Sequence, residues 1–190
     1  MEFIKKRQNA FAILAAVIVV FTLLGVHLSL NRQVAKLGSM FTDGIYIEKD
    51  KYTQPGIQTH LDARISASLG LLTVASNYEA VSAETESLLE ARHELLDAET
   101  VSQKYEANQK LEVAYTALAA GLEAQDLSDT DADNAATYIS NLSGAQGAIE
   151  KSLYNARVAE YETGVLAVFP VSALRGFVFA ESPEYFGAEA

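Results

Sequence analysis

Three aspartates at alternate positions are the pattern in this sequence closest to a metal-binding motif. Asp129, Asp131 and Asp133 match the opening of an EF-hand calcium loop, where oxygen ligands recur at every second position. That loop also needs glycine at position six and glutamate at position twelve, and Asn134 and Ser140 stand there. Acidic residues also suit the first turn of a helix, whose dipole favours negative charge. The pattern favours helix capping, so no metal site is predicted.

The histidines, His27, His60 and His93, form no catalytic or metal-ligand pattern. They are too far apart in sequence to share one helix face, so a zinc site would need ligands from distant segments. The chain has no cysteine, which excludes thiolate chemistry, disulfides and cysteine zinc ligands. A serine-nucleophile elbow and the glycine motifs that bind phosphate or dinucleotides are also missing from the sequence. We therefore predict no enzymatic activity and no cofactor.

The charge of the chain excludes one class of partner. The 190 residues carry a formal net charge of −11. Residues 79–133 hold fourteen acidic residues and only three basic ones. Such a surface repels DNA, RNA and anionic headgroups, so no nucleic acid partner is expected. A solvated helical surface is the simpler interpretation, and a docking surface for a basic partner or divalent cations is the alternative.

An apolar run near the N-terminus is long enough to cross a membrane. Residues 10–26 contain no ionisable side chain, and His27 is the first interruption. Twenty helical residues span about 30 Å, the thickness of a bilayer core. We predict a transmembrane helix over residues 10–30 that contacts lipid from Phe11 to Leu30. A cleaved signal peptide is the alternative, but the run is longer than its usual core and no good cleavage site follows.

The orientation of this helix rests on a small charge difference. Three basic residues (Lys5, Lys6 and Arg7) precede the run, and two (Arg32 and Lys36) follow it. The positive-inside rule then predicts a cytoplasmic N-terminus and an extracytoplasmic domain in a single-pass cell-membrane protein. The opposite topology stays open.

Residues 31–56 are predicted as a helical extension and a connector. Val34, Leu37 and Phe41 recur at steps of three and four, so the first helix is expected to continue to about Phe41. A short extended piece at residues 44–47 is possible, and Pro55-Gly56 marks a turn.

Residues 57–170 carry helical periodicity and predict a bundle. One stripe begins at Ile57 and continues through residue 96, either as one helix or with a break. Thr100 and Gln103 have the spacing of a capping box, and Ser128 or Asp129 is expected to cap the helix that follows. A last long helix is predicted over residues 131–168, with Gly144 and Gly147 marking a bend or a close crossing inside it. The fold class is all-α: an N-terminal transmembrane helix followed by an antiparallel bundle of long helices.

The tail, residues 171–190, is apolar for a chain terminus. Its aromatic and aliphatic residues either close the base of the bundle or touch a membrane or partner, and we predict packing on the bundle. The expected organisation has five parts: a short basic N-terminus at 1–9, the transmembrane helix at 10–30, the extension and connector at 31–56, the bundle at 57–170, and the tail at 171–190.

The C-terminal third carries a family pattern. It combines a Tyr-Asn pair and apolar residues at helical spacing with a Phe-Pro pair and a final Tyr-Phe pair. The residues are Ile149, Tyr154, Asn155, Val158, Tyr161, Phe169, Pro170, Tyr185 and Phe186. In this respect the chain resembles the LemA family of bacterial membrane proteins, and the anchor and helix order agree along nearly the whole chain.

The resemblance is to a divergent branch. A double basic residue and a proline-containing motif are usual in the family early in the first bundle helix, where this chain has one arginine, Arg64, and no proline. Glu162 replaces the second asparagine of the core motif. The resemblance implies a helical bundle on an N-terminal anchor without established enzymatic activity. Some relatives are predicted to keep the bundle in the cytoplasm.

The resulting functional hypothesis is a membrane-anchored interaction or scaffold protein of the bacterial envelope. Protein partners or self-association are expected, and a small-x3-small pair at Ala12 and Ala16 gives weak support for dimerisation. The alternative is an extracytoplasmic ligand-sensing helical domain tethered to the membrane. Such sensors normally have a second span that leads to a signalling module, and none follows here.

Overall fold

The structure, a computed structural model, describes residues 7–178 and 182–187 and is almost entirely helical, which confirms the all-α prediction. The helices in chain order are α1 (Arg7–Thr42), α2 (Ile57–Ala75), α3 (Ser82–Asp97), α4 (Val101–Glu123), α5 (Asp129–Glu150), α6 (Tyr154–Tyr161) and α7 (Val171–Leu174). Short 3-10 turns occupy Glu79–Val81 and Arg175–Phe177, and a π-helical turn occupies Glu162–Leu166.

Helix α1 contains the whole apolar run and continues beyond it. Residues 10–21 are all exposed within the described structure, and the most apolar stretch is not buried at all. The helix is therefore long and apolar enough to span a membrane. Its end at Thr42 confirms the predicted extension to about Phe41.

The connector after α1 contains a small hairpin. Strands β1 (Ile45–Ile47) and β2 (Tyr52–Gln54) pair antiparallel, with Tyr46 opposite Thr53. The short extended piece expected near residues 44–47 is thus confirmed. Gly44 has φ +107°, and a Cβ there would clash with the carbonyl oxygen of Gln54, so the turn into β1 requires glycine.

Helices α2 to α5 form the antiparallel bundle. Helix α2 packs mainly on α5, and α3 packs mainly on α4, while α2 also contacts α3. Each contributes an apolar stripe to the core, and each has at least one completely buried leucine: Leu61, Leu88, Leu111 and Leu142. Burial of a leucine side chain is worth about 1.5–3 kcal/mol, so these stripes account for the packing of the four helices.

Two helix starts follow the capping signals in the sequence. The Thr100 hydroxyl accepts a hydrogen bond from the Gln103 backbone N–H at 3.2 Å, and the Gln103 side chain accepts one from the Thr100 N–H. Ser128 caps α5 by accepting a bond from the Asp131 N–H at 3.2 Å. Both capping predictions are confirmed.

The first long stripe, for which a break was left open, is broken, and the prediction of one uninterrupted helix over residues 131–168 is wrong. The first breaks between α2 and α3 at residues 76–81, where the Tyr78 hydroxyl donates to Asp131 Oδ2 at 2.8 Å. The second breaks between α5 and α6 at residues 151–153. There the Gln54 side chain donates to the Lys151 carbonyl and accepts from the Leu153 N–H. Both breaks are fixed by partners remote in sequence, which periodicity does not register.

The close helix crossing also lies elsewhere than predicted. A Cβ on Gly144 or Gly147 would meet nothing within 4 Å, and α5 runs through both without interruption. At Gly70 of α2, by contrast, a Cβ would overlap the ring of Tyr138 on α5. The absent side chain at Gly70 is what lets this ring lie against the α2 backbone.

The chain divides into two compact units. The bundle unit comprises residues 39–156 together with the described residues 184–187. The anchor unit comprises α1 up to Gly38 together with the described residues of 157–183. Five apolar side chains of the anchor unit are buried: Leu30, Leu37, Val158, Tyr161 and Val178.

Candidate functional site

The family-pattern residues fall in both units. Tyr154, Asn155, Phe186 and the nearby Ile149 lie in the bundle unit. Those in the anchor unit are Val158 and Tyr161, which are buried, and Phe169 and Pro170, which are exposed. The partly exposed Tyr185 belongs to the bundle unit.

The best-defined feature among these residues is the packing of residues 184–187, which we call the C-terminal strip, against the rest of the bundle unit. Asn155 holds the backbone of Phe186 from both sides: its amide nitrogen donates to the Phe186 carbonyl at 3.1 Å, and its amide oxygen accepts from the Phe186 N–H at 2.9 Å. The Tyr154 hydroxyl donates to the Glu184 carbonyl at 2.9 Å. The Glu184 carboxylate accepts a hydrogen bond from the Ser102 N–H. This N–H lies in the first turn of α4, where backbone donors have no partner within the helix.

Aromatic packing fixes the same strip. The Phe186 ring is 8% exposed and stacks edge-on to Tyr105, with ring centroids 5.3 Å apart. Phe41 contacts both Phe186 and Tyr154, at 6.0 and 5.3 Å between centroids. We call Phe41, Tyr105, Tyr154, Asn155 and Phe186 the tail cluster. It joins α1, α4, α6 and the C-terminal strip, which is a packing role rather than a reactive one.

Burial changes the acidity of one residue of this cluster. Removal of Tyr154 from water raises its pKa to about 12, and the nearby Glu184 carboxylate adds to the effect. The hydroxyl therefore stays protonated as a hydrogen-bond donor throughout the ordinary pH range.

A polar network lies inside the bundle core. Arg64 of α2 is completely buried and donates to Glu112 of α4 and Gln146 of α5, both at 2.7 Å. The buried Asn108 donates to the same Gln146 oxygen at 2.9 Å. Arg64 also lies 5.6 Å from the ring centroid of Tyr115, within cation–π range. We call Arg64, Asn108, Glu112 and Gln146 the polar core network.

The network is incompletely satisfied. Arg64 Nε and Asn108 Oδ1 have no hydrogen-bond partner within the part of the chain that the structure describes. From the sequence alone, Arg64 stands out only as a departure from the family pattern, and Asn108 does not stand out at all. A signal existed, because Arg64 follows Leu61 by three and precedes Ser68 and Leu71 on the apolar stripe of α2.

An acidic groove runs between α3 and α4. It encloses about 700 Å³ and is lined by the carboxylates of Glu86, Glu90, Glu94, Asp97 and Glu106. Lys110 is the lining ammonium, and its bond to Glu94 at 2.6 Å raises its pKa. The half-exposed Leu89 supplies apolar surface in the same groove.

The alternate aspartates, Asp129, Asp131 and Asp133, lie at the start of α5. Asp131 accepts hydrogen bonds from Tyr78 and Ser128, and Asp129 and Asp131 occupy the first turn of the helix. Within residues 7–178 and 182–187, no three His, Asp or Glu side chains converge on a possible metal position.

Fold and sites together define the class of protein: an all-α chain with an N-terminal helix long and apolar enough to span a membrane, followed by packed helices. Comparison with protein-family models and with curated proteins finds no match for this chain.

Proposed function

We propose that this protein is a membrane-anchored helical-bundle interaction protein of the bacterial envelope. The observation that carries the proposal is the exposure of α1. Residues 10–21 are apolar or uncharged and all exposed in the described chain, although burial of such a surface is the main driving force of folding. A bilayer core provides the apolar surroundings that this helix lacks.

The acidic groove is the surface that fits an interaction role. Five carboxylates face a single ammonium that is already paired, so the groove is complementary to a positively charged segment. Leu89 adds apolar contact, and a neighbouring depression that shares Glu90 and Glu94 adds the exposed Val113. This mixture of charge and apolar surface favours a basic protein segment as the occupant.

Membership of the LemA family, as a divergent branch, is part of the same proposal. Its support is the helical architecture and the meeting, in the tail cluster, of the Tyr154-Asn155 pair with Phe186, which lies 31 residues beyond Asn155. The charge pattern around α1 supports a cytoplasmic N-terminus and an extracytoplasmic bundle.

The side of the membrane is testable because the chain has no cysteine of its own. A single cysteine at the exposed Val113 should react with a membrane-impermeant maleimide in intact cells. Labelling that appears only after the cells are lysed would place the bundle in the cytoplasm.

Photo-cross-linking from the groove tests the interaction role. A photoreactive residue in place of Leu89 should form an adduct with another protein in cells, whereas one at the exposed Ala136 on α5 should not. Substitution of Glu86 and Glu90 by glutamine should reduce the adduct. An adduct of twice the chain mass would identify a second copy as the partner. No adduct, or equal adducts from both positions, would contradict the proposed groove.

A further inference from the structure

The described phenylalanines divide sharply between the two units. Phe41 and Phe186 in the bundle unit are buried. In the anchor unit, Phe11 and Phe21 of α1 are exposed, but so are Phe169 and Phe177, which lie far from α1 in the sequence. Phe169 is 80% exposed and Phe177 is 73% exposed, values unusual for large apolar rings of a protein surrounded only by water.

These two rings belong to a segment that differs in charge from the rest of the chain. Between Glu162 and Glu181, Arg175 is the only ionisable residue, so this stretch carries +1 in a chain of net −11. Val168 is also half exposed in this stretch. An exposed apolar segment with a basic residue suits the boundary between lipid and water. We call residues 163–178 the apolar segment.

The anchor unit places the apolar segment beside α1. Leu30 is 1% exposed and Leu37 is 5% exposed, and a lone helix cannot bury side chains to this extent. Residues 157–178 belong to the same compact unit as this part of α1 and also contribute buried side chains, Val158 and Val178.

The position of Leu30 along α1 sets the depth of the anchor unit. The predicted span, residues 10–30, is long enough to fill a bilayer core of about 30 Å, so Leu30 lies at the boundary between the core and the headgroup layer. The described residues 157–178 share the compact unit with Leu30, which keeps them near that boundary.

We propose that the apolar segment inserts Phe169 and Phe177 into the lipid headgroup layer where the carboxyl end of α1 emerges. It forms a second, shallow membrane contact next to the spanning helix. This inference rests on the proposed function, since it takes α1 as membrane-spanning.

Tryptophan fluorescence tests the insertion, because the chain has no tryptophan. Four full-length variants, Phe169→Trp, Phe177→Trp, Phe21→Trp and Val113→Trp, are each reconstituted into phosphatidylcholine–phosphatidylglycerol vesicles with brominated acyl chains. Phe21→Trp reports on α1, and Val113→Trp reports on an exposed position of the bundle unit. Both variants of the apolar segment should shift their emission to the blue and lose intensity to the bromines. They should lose more to bromines near the headgroup than to bromines near the chain end, while Val113→Trp should be unchanged.

The outcomes separate the two proposals. If Phe21→Trp is quenched while Phe169→Trp and Phe177→Trp behave like Val113→Trp, the insertion is overturned and the anchor stands. If Phe21→Trp is not quenched, both fail. A blue shift of Phe169→Trp and Phe177→Trp without quenching would mean that protein, such as a second copy, covers the rings, which also overturns the insertion.

Discussion

The polar core network places a charged side chain and several polar ones inside an otherwise apolar core. Arg64 takes its charge into a leucine core, where desolvation is costly unless the charge is paired and hydrogen-bonded. Glu112, Gln146 and the Leu142 carbonyl accept its terminal nitrogens. These acceptors come from α4 and α5, so the network joins three helices in one register.

Replacement of Arg64 by methionine should destabilise the bundle by about 2–4 kcal/mol. The change removes the Arg64 donor from Glu112 and Gln146, which keep only the hydrogen bonds from Tyr115 and Asn108. The loss is moderated because the Glu112 side chain is 35% exposed and partly solvated by water. Urea unfolding of the full chain in detergent, followed by circular dichroism, measures the effect. Lys110→Met is the matched control, because it breaks an exposed pair and should not change the unfolding midpoint. Equal effects of both variants would contradict the role of the network.

The raised pKa of Tyr154 predicts that the folded chain loses stability at alkaline pH. Its pKa is about 12 in the folded chain against 10.0 for the free side chain, so the unfolded state ionises first as pH rises. The stabilisation is fully present below pH 10 and is lost between about pH 10 and 12, by roughly 2–3 kcal/mol at 1.36 kcal/mol per pKa unit.

Tyr154→Phe should reduce this alkaline slope, measured as urea midpoints from pH 8 to 12. The variant also lacks the bond to the Glu184 carbonyl, so its stability at neutral pH should fall by about 1 kcal/mol. An unchanged alkaline slope would show that Tyr154 ionises as easily in the folded chain as in the unfolded one.

At the scale of helices and strands, the sequence predicted the features that depend on neighbouring residues. The capping box at Thr100, the cap at Ser128 and the extension of α1 follow from spacing and hydrogen-bonding capacity. The breaks after α2 and α5 do not, because Tyr78 and Gln54 find their partners 53 and about 97 residues away. Likewise, Asn155 belongs to the family pattern in the sequence, but its hydrogen bonds to the Phe186 backbone are evident only in the folded chain.

Two glycine substitutions should have opposite effects. Gly70→Ala places a methyl group against the Tyr138 ring and should destabilise the pairing of α2 and α5 by about 1–2 kcal/mol, reduced by any movement of this half-buried ring. Gly144→Ala meets open space in a helix and should stabilise by about 0.5–1 kcal/mol. Thermal unfolding compares them. Stabilisation by both would show that α2 and α5 do not approach closely at Gly70.

For the whole molecule, the composition of the chain predicted the architecture, but it did not predict the positions of the surface sites. The uncharged run and the leucine stripes indicated an apolar N-terminal helix and a bundle, and both are present. The acidic excess was visible too, but the placement of five of these carboxylates along one groove depends on how α3 packs against α4. The division into an anchor unit and a bundle unit was not predicted, because it depends on contacts between residues more than a hundred positions apart.

The central claim, that α1 anchors the bundle in a bilayer, is tested most directly by alkaline carbonate extraction. This treatment strips peripheral proteins from membranes and leaves spanning helices in place. The full chain, tagged at its C-terminus, should remain in the membrane pellet with the mass of an uncleaved protein. Release into the supernatant, or a mass that lacks the residues before Asn31, would contradict the anchor.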